Sequence, residues 1–247
     1  MSSLCNSKGW TQTIDYDFLS KIQTEPMGSR HVPANHGMVL DTFRNVLENN
    51  GVKPVKTSGI LSPDHLRYIH MVEVADKQIP DFNFTFGFIN YNNKQRSLTM
   101  FAGERVFICN NGMVSGILDT TKRKHTMGLE AEIVERFNGG FEQFHQFRAE
   151  RILEVENMKG FQVKDTQFGQ FILHLHRESC IGNTNITRVV QEWDRPSFQY
   201  ENVPDQRNAW NLQNACTYVF DHNVENPLQR IELNKEIRGY IGEVMAA

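Results

Sequence analysis

The sequence predicts an α+β fold: an antiparallel meander sheet covered by helices, followed by a helical C-terminal half. Three observations predict it. Apolar residues recur at helical spacing over Met38–Leu47, change to a two-residue period between residues 67 and 109, and return to three- and four-residue steps after His125. Consecutive strands followed by helices pack as a sheet with helices laid on it.

Residues 1–37 mix polar residues with Gly and Pro and read as an N-terminal arm with little core of its own. Residues 38–247 then read as one α+β domain, sheet-rich over 55–118 and helical over 126–247. Met38, Val39, Phe43, Val46 and Leu47 define the first helix, which Asn49, Asn50, Gly51 and Pro54 stop. Tyr68, His70, Val72 and Val74 alternate with Arg67, Ile69, Met71 and Glu73. Phe82, Phe84, Phe86 and Phe88 follow in strict alternation and line one face of a strand. Asn90–Lys94 turns the chain into Arg96–Ala102; Val106–Cys109 follows Gly103, and Asn111-Gly112 marks a tight turn. Leu129, Ile133, Phe137, Phe141, Phe144 and Arg148 form a helical stripe, which the Gly139-Gly140 pair is expected to kink or split. Residues 164–179, 185–195, 206–222 and 231–245 complete the helices.

Composition narrows the function classes. The 247 residues include 39% apolar and 11% aromatic residues, enough to bury a core. A net charge of −3 gives no global basic field, so any nucleic-acid site must be a local patch. Cys5, Cys109, Cys180 and Cys216 lie far apart without a CxxC pair, which fits free thiols in a reducing compartment. The opening MSSLCNSKGWTQTIDYDF lacks the apolar stretch of a signal peptide, and no apolar run approaches a membrane span. The expectation is a soluble protein of the bacterial cytoplasm with no membrane partner.

No phosphate loop, dinucleotide fingerprint, nucleophile elbow or HExxH occurs. Neither a metal nor a cofactor is expected. His174 and His176 would share a face only on a strand; on a helix they diverge by about 200°. His31 and His36 flank Val32-Pro33-Ala34-Asn35, where Asn35 is placed to cap the first helix. A histidine poised there for proton transfer is the alternative.

Two constellations remain. Between residues 94 and 124 stand Lys94, Arg96, Arg105, Lys122, Arg123 and Lys124, against only Glu104 and Asp119. Tyr91, Phe101 and Phe107 are interleaved with them, as a single-strand site with a basic groove and stacking rings requires. The plainer reading makes the Phe residues core and the basic residues a solvated hairpin edge. On a helix over 207–222, Arg207, Trp210, Asn214, Thr217 and Asp221 form one stripe. Buried, those polar groups need partners, either neighbouring segments or a ligand.

HVPANH (31–36), GERVFICNNGMVSG (103–116), Lys124-His125-Thr126 and AWNLQNACTYVFDH (209–222) resemble an uncharacterised prophage and plasmid family, domain of unknown function 932. The resemblance runs from about residue 30 to the C-terminus. It departs at Ala209 and Asn211, where the family favours a hydroxyl or small residue before the Trp and an acidic one after it. It implies a mobile-element setting and draws attention to Arg105, Asn110, Asn111, Gly112, His125, Trp210, Asn214, Thr217 and His222, without an established activity.

The leading expectation is a single-stranded DNA binding or annealing protein of a phage or plasmid, possessing no cofactor and able to form homo-oligomers. The element order is similar to that of Rad52-like annealing proteins, a likeness of topology alone. Lys94, Arg96, Arg105, Lys122, Arg123 and Lys124 would neutralise phosphates, while Tyr91 or Phe101 would stack bases. One rival is an enzyme acting on nucleic acid or nucleotide through a site joining His125 with Arg207, Asn214, Thr217 and His222. Another is a phage protein that blocks a host defence protein.

Overall fold

A computed structural model describes residues 9–75, 82–106, 112–178, 181–197 and 207–246. The side chains of residues 82, 104–106 and 112–122 lie outside that description, as do those of 227, 228 and 231. The fold is α+β, with the C-terminal half helical.

The elements run β1 (Thr11–Gln12), α1 (Tyr16–Ser20), α2 (His36–Asn49), β2 (Lys56–Leu61), β3 (Arg67–Val74), β4 (Phe82–Tyr91), β5 (Leu98–Val106) and β6 (Gly112–Arg123). Five helices end with α7: α3 (Leu129–Gly160), α4 (Asp165–Arg177), α5 (Asn183–Asp194), α6 (Ala209–Asn223) and α7 (Pro227–Ala246). The strands pair in sequence order, each antiparallel to the next. Gly103 does not end a strand. It lies at a register shift within β5, where the ladder to β6 slips.

Period-two patterning places Tyr68, Val72, Phe84, Phe86 and Phe88 on one sheet face, where they form the main core with Phe43 of α2 and Phe137, Phe141 and Phe144 of α3. Phe86 and Phe144 have ring centroids 4.9 Å apart, and Phe43 and Phe88 5.2 Å. Such pairs add about 0.5–1.5 kcal/mol to their area burial. The Gly139-Gly140 pair does not split α3, whose helix continues unbroken to Gly160. Its stripe docks through Leu129, Ile133 and the three Phe, all buried, which overrides the weak helix propensity of Gly.

The opposite sheet face is buried as well. Ile60, Ile69, Met71, Ile89, Tyr91 and Phe101 form a second cluster, with Trp10 packed against it. Gly87 explains the position of Phe101. A Cβ there would come within 2.7 Å of the Phe101 ring and 2.1 Å of the His70 carbonyl, so the ring occupies space that only glycine leaves. The expected arm is stitched to the sheet: Thr11 and Gln12 pair with Leu61 and Ile60, and Leu19 is fully buried. Among the described residues no helix is long and apolar enough to cross a membrane.

Candidate functional site

Three loops meet where β4, β5 and β6 deliver their ends to α2 and α3. Gly28–His31, Lys94–Ser97 at the β4–β5 turn, and Lys124–Thr126 between β6 and α3 enclose a cleft of about 620 Å³. Gly28 has φ 122° and lies against Lys94, whose Nζ would be 3.1 Å from a Cβ built there. A side chain at residue 28 would therefore both strain the backbone and displace the ammonium group. The cleft is lined by Arg30, Lys94, Arg96 and Lys124 and, among the described residues, by no carboxylate. Arg30, Lys94 and Lys124 are exposed and carry no ion pair among the described residues.

Behind the cleft lies a chain of hydrogen bonds that fixes the tautomer of every ring in it. Carbonyl oxygens only accept, so the 3.0 Å contact between His36 Nε2 and the His65 carbonyl puts a proton on Nε2. His36 Nδ1 then accepts from Asn90 Nδ2 at 2.8 Å, while Asn90 Nδ2 also donates to Ala34 O at 3.0 Å. That leaves Asn90 Oδ1 as an acceptor, and His125 Nε2–H donates to it at 2.7 Å. Asn92 pairs with both backbone groups of Ala34, each at 2.9 Å. His31 Nδ1 accepts from the Met27 amide at 2.9 Å, so its Nε2 bears the proton.

Two ring nitrogens are left over. His31 is 94% buried, and its Nε2–H has no partner among the described residues. His125 Nδ1, a lone-pair acceptor, is likewise without a partner among them. The two rings are 6.1 Å apart and both line the cleft. Burial pulls His125 down to about 4, with His31 and His36 adding to the shift. Burial, then the Lys94 ammonium, lowers His31 from its ordinary value. Both rings are neutral at pH 7, one presenting a donor and the other an acceptor.

Part of the expected single-strand site is corrected by the structure. Tyr91 and Phe101 offer no ring face for stacking: both are buried in the second cluster, at 2% and 0% exposure. The phenol of Tyr91 is pushed up to about 12 by the same burial. The Arg123 guanidinium is taken by Glu132, at 2.9 and 3.2 Å, and by Thr126 Oγ1 at 3.0 Å. It braces β6 against α3 and holds the Glu132 carboxyl below its usual range, with Arg136 assisting. Arg96 lines the cleft while its Nη2 reaches Glu232 of α7 at 2.8 Å. The side chains of Arg105 and Lys122 lie outside the described residues, as do Phe107, Asn110 and Asn111. Of the expected cations whose side chains are described, Lys94 and Lys124 remain open.

The α6 stripe is internal structure. Asn214 Nδ2 donates to Trp210 O at 2.9 Å, and Thr217 Oγ1 donates to Gln213 O at 2.9 Å and lies 3.4 Å from the Asn234 carboxamide of α7. Arg230 lies 3.9 Å from Asp221, and Arg151 stacks over the Trp210 ring at 5.8 Å. Arg207 sits outside the stripe, between Asp165 and Asp194 and over Trp193. His222 is exposed, with Nδ1 donating to Tyr218 O at 2.8 Å. None of Arg207, Asn214, Thr217 or His222 lines the cleft with His125, so the composite site expected from sequence is not assembled. His174 and His176 stand on α4, where helical geometry separates them; His174 contacts Tyr240, and His176 Nδ1 meets Asn183 at 3.1 Å. Among the described residues no group of three His, Cys, Asp or Glu could hold a metal.

Residues that sequence reasoning passed over are Arg30, Asn90 and Asn92. HVPANH and Lys124-His125-Thr126, two stretches far apart in the chain, converge here through Asn90 and through the Val32 amide, which donates to His125 O at 3.0 Å. A family model described as "Domain of unknown function (DUF932)" matches residues 25–238. The chain belongs to that family. The match includes all three loops of the cleft, so the cleft lies wholly within the family's domain. No curated protein and no solved structure matches the chain.

Proposed function

We propose that the chain binds single-stranded nucleic acid by holding backbone phosphates in the cleft of Arg30, Lys94, Lys124 and His31. The observation that carries this reading is the buried His31 Nε2–H, a donor that among the described residues has no partner, in a pocket they line with cations and no carboxylate. Leaving such a donor unmet costs about 1–3 kcal/mol, which a phosphate oxygen would recover. Charge-assisted bonds from Arg and Lys to the same group are about twice as strong as neutral ones.

Among the described residues the lining contains no aromatic ring besides the two histidines, and Tyr91 and Phe101 are buried. Recognition therefore rests on phosphates and not on base stacking, which makes it tolerant of sequence. At about 620 Å³ the cleft has the size of a small-ligand site, room for a short stretch of one strand and not for a duplex.

The test is fluorescence anisotropy with 12-nucleotide single strands of DNA and of RNA at low salt. Arg30→Ala/Lys94→Ala/Lys124→Ala should weaken binding by about 100-fold, since three phosphate contacts are removed. Arg177→Ala, an exposed charge outside the cleft, should change it less than twofold. Equal affinity of the triple variant and the parent would show that the cleft is not the site.

A further inference from the structure

We propose that this cleft also cleaves RNA without a metal, His125 Nδ1 acting as the base that deprotonates a ribose 2′-hydroxyl next to the bound phosphate. The inference rests on the phosphate-binding reading above and extends it from binding to a reaction. Three observations support it.

The first is orientation. A base needs a fixed ring and a free lone pair, and a third group usually supplies the fixing. His125 Nε2–H is tied to Asn90 Oδ1 at 2.7 Å, and Asn90 is itself held by Ala34 O and by His36 Nδ1. The tautomer with the lone pair on Nδ1 is thereby the one present, and Nδ1 has no partner among the described residues. The second is the neighbour. His31, on a ring centred 6.1 Å away, also lines the cleft and has an Nε2–H with no partner among the described residues, while Arg30, Lys94 and Lys124 supply the countercharge for the developing dianionic phosphorane. His31 cannot serve as the acid, because Nδ1 already accepts from the Met27 amide and a second ring proton would oppose that donor.

The third is the electrostatic setting. The titratable groups facing His125 are His31 from the 28–31 loop, His36 from α2, Lys94 and Arg96 from the β4–β5 loop, and Lys124 beside it. None of these is a carboxylate that would favour a proton on His125, and burial, with the neighbouring rings, keeps its lone pair available at neutral pH.

In the step, His125 Nδ1 takes the 2′-hydroxyl proton as the 2′-oxygen bonds to phosphorus and the P–O5′ bond breaks. The departing 5′-oxygen takes a proton from solvent water. The products are a 2′,3′-cyclic phosphate and a 5′-hydroxyl, and His125 returns its proton to solvent. DNA, lacking the nucleophile, would be bound and left intact.

The experiment incubates the full chain with a 5′-labelled 12-nucleotide RNA, its all-DNA counterpart and an RNA carrying one 2′-deoxynucleotide at the observed cut, all in EDTA. The expected result is RNA cut to a fragment ending in a cyclic phosphate, with the DNA intact and the single deoxy substitution blocking its site. His125→Ala and His125→Gln should each slow cleavage by at least about 100-fold. Because Gln can still donate to Asn90, it preserves the fold more closely, and added imidazole should restore cutting to His125→Ala, as a structural role would not. The rate should hold steady from pH 8 to pH 6 and fall only as the pH approaches the value of about 4 at which His125 takes a proton. RNA that is bound but uncut, or cut equally by the His125 variants, would overturn the reaction and leave the binding reading standing. RNA and DNA both unbound would overturn both.

Discussion

One carboxamide, that of Asn90, ties two chain segments to β4 at the cleft: residues 34–36 at the start of α2, through Ala34 O and the His36 ring, and His125 after β6. Replacing Asn90 with Ala leaves the His36 ring acceptor and the His125 ring donor unmet, while Ala34 O keeps its bond from Asn92. At about 1–3 kcal/mol each, a loss of at least about 2 kcal/mol is expected. For a chain of this length that lowers the melting temperature by about 4–8 °C. An unchanged Tm in Asn90→Ala, measured by circular dichroism, would show that the network does not hold the loops. Much of this site was present in the sequence in a form easily misread. Asn90 and Asn92 continue the two-residue period of Phe84, Phe86 and Phe88, so they mark where one sheet face changes from apolar to polar. Their composition reads instead as a turn. Asn35 was legible as a cap and does accept from the Met38 amide at 3.1 Å. The burial of Phe101 was the plainer of two readings and that of Tyr91 was not foreseen, because alternation assigns a residue to a face without saying what covers that face.

At the scale of elements, periodicity identified the first helix, the Phe strand and the four C-terminal helices; α2, α4 and α5 bury one side and leave a stripe, whereas α6 is buried almost all round. It failed where packing overrode local propensity. The glycine pair in α3 reads as a break, yet the buried positions on either side keep the helix in register. Gly139 has nothing within 4 Å of its missing Cβ. Gly139→Ala should therefore stabilise the protein by about 1 kcal/mol, because alanine is the better helix former there. Thermal unfolding should show a rise of about 2–4 °C. A decrease would mean that the helix bends at this point in solution. The α6 stripe has the opposite history: its polar spacing was plain, but whether a ligand or the protein satisfied it depended on α7, whose Asn234 and Arg230 meet Thr217 and Asp221.

At the scale of the whole molecule, buried neutral histidines couple folding to pH. Burial draws His36 down to about 4, His70 to about 3 and His125 to about 4. Unfolded, each takes a proton near pH 6.5. The unfolded chain thus binds more protons than the fold below pH 6.5, and stability is fully present above that value and lost as the pH falls towards 4. The loss approaches about 1.4 kcal/mol per pH unit for each ring. Tm should fall steadily from pH 7 to pH 5; a flat profile would show that the rings titrate normally. The charge of the whole chain is −3, so affinity for a polyanion must come from the local cations of the cleft. Salt dependence of single-strand binding measures that most directly. With three phosphates neutralised, log affinity against log salt should have a slope of about −2, and Lys124→Ala should reduce it by about 0.7. A slope near zero, or one that Lys124→Ala leaves unchanged, would contradict phosphate binding in the cleft.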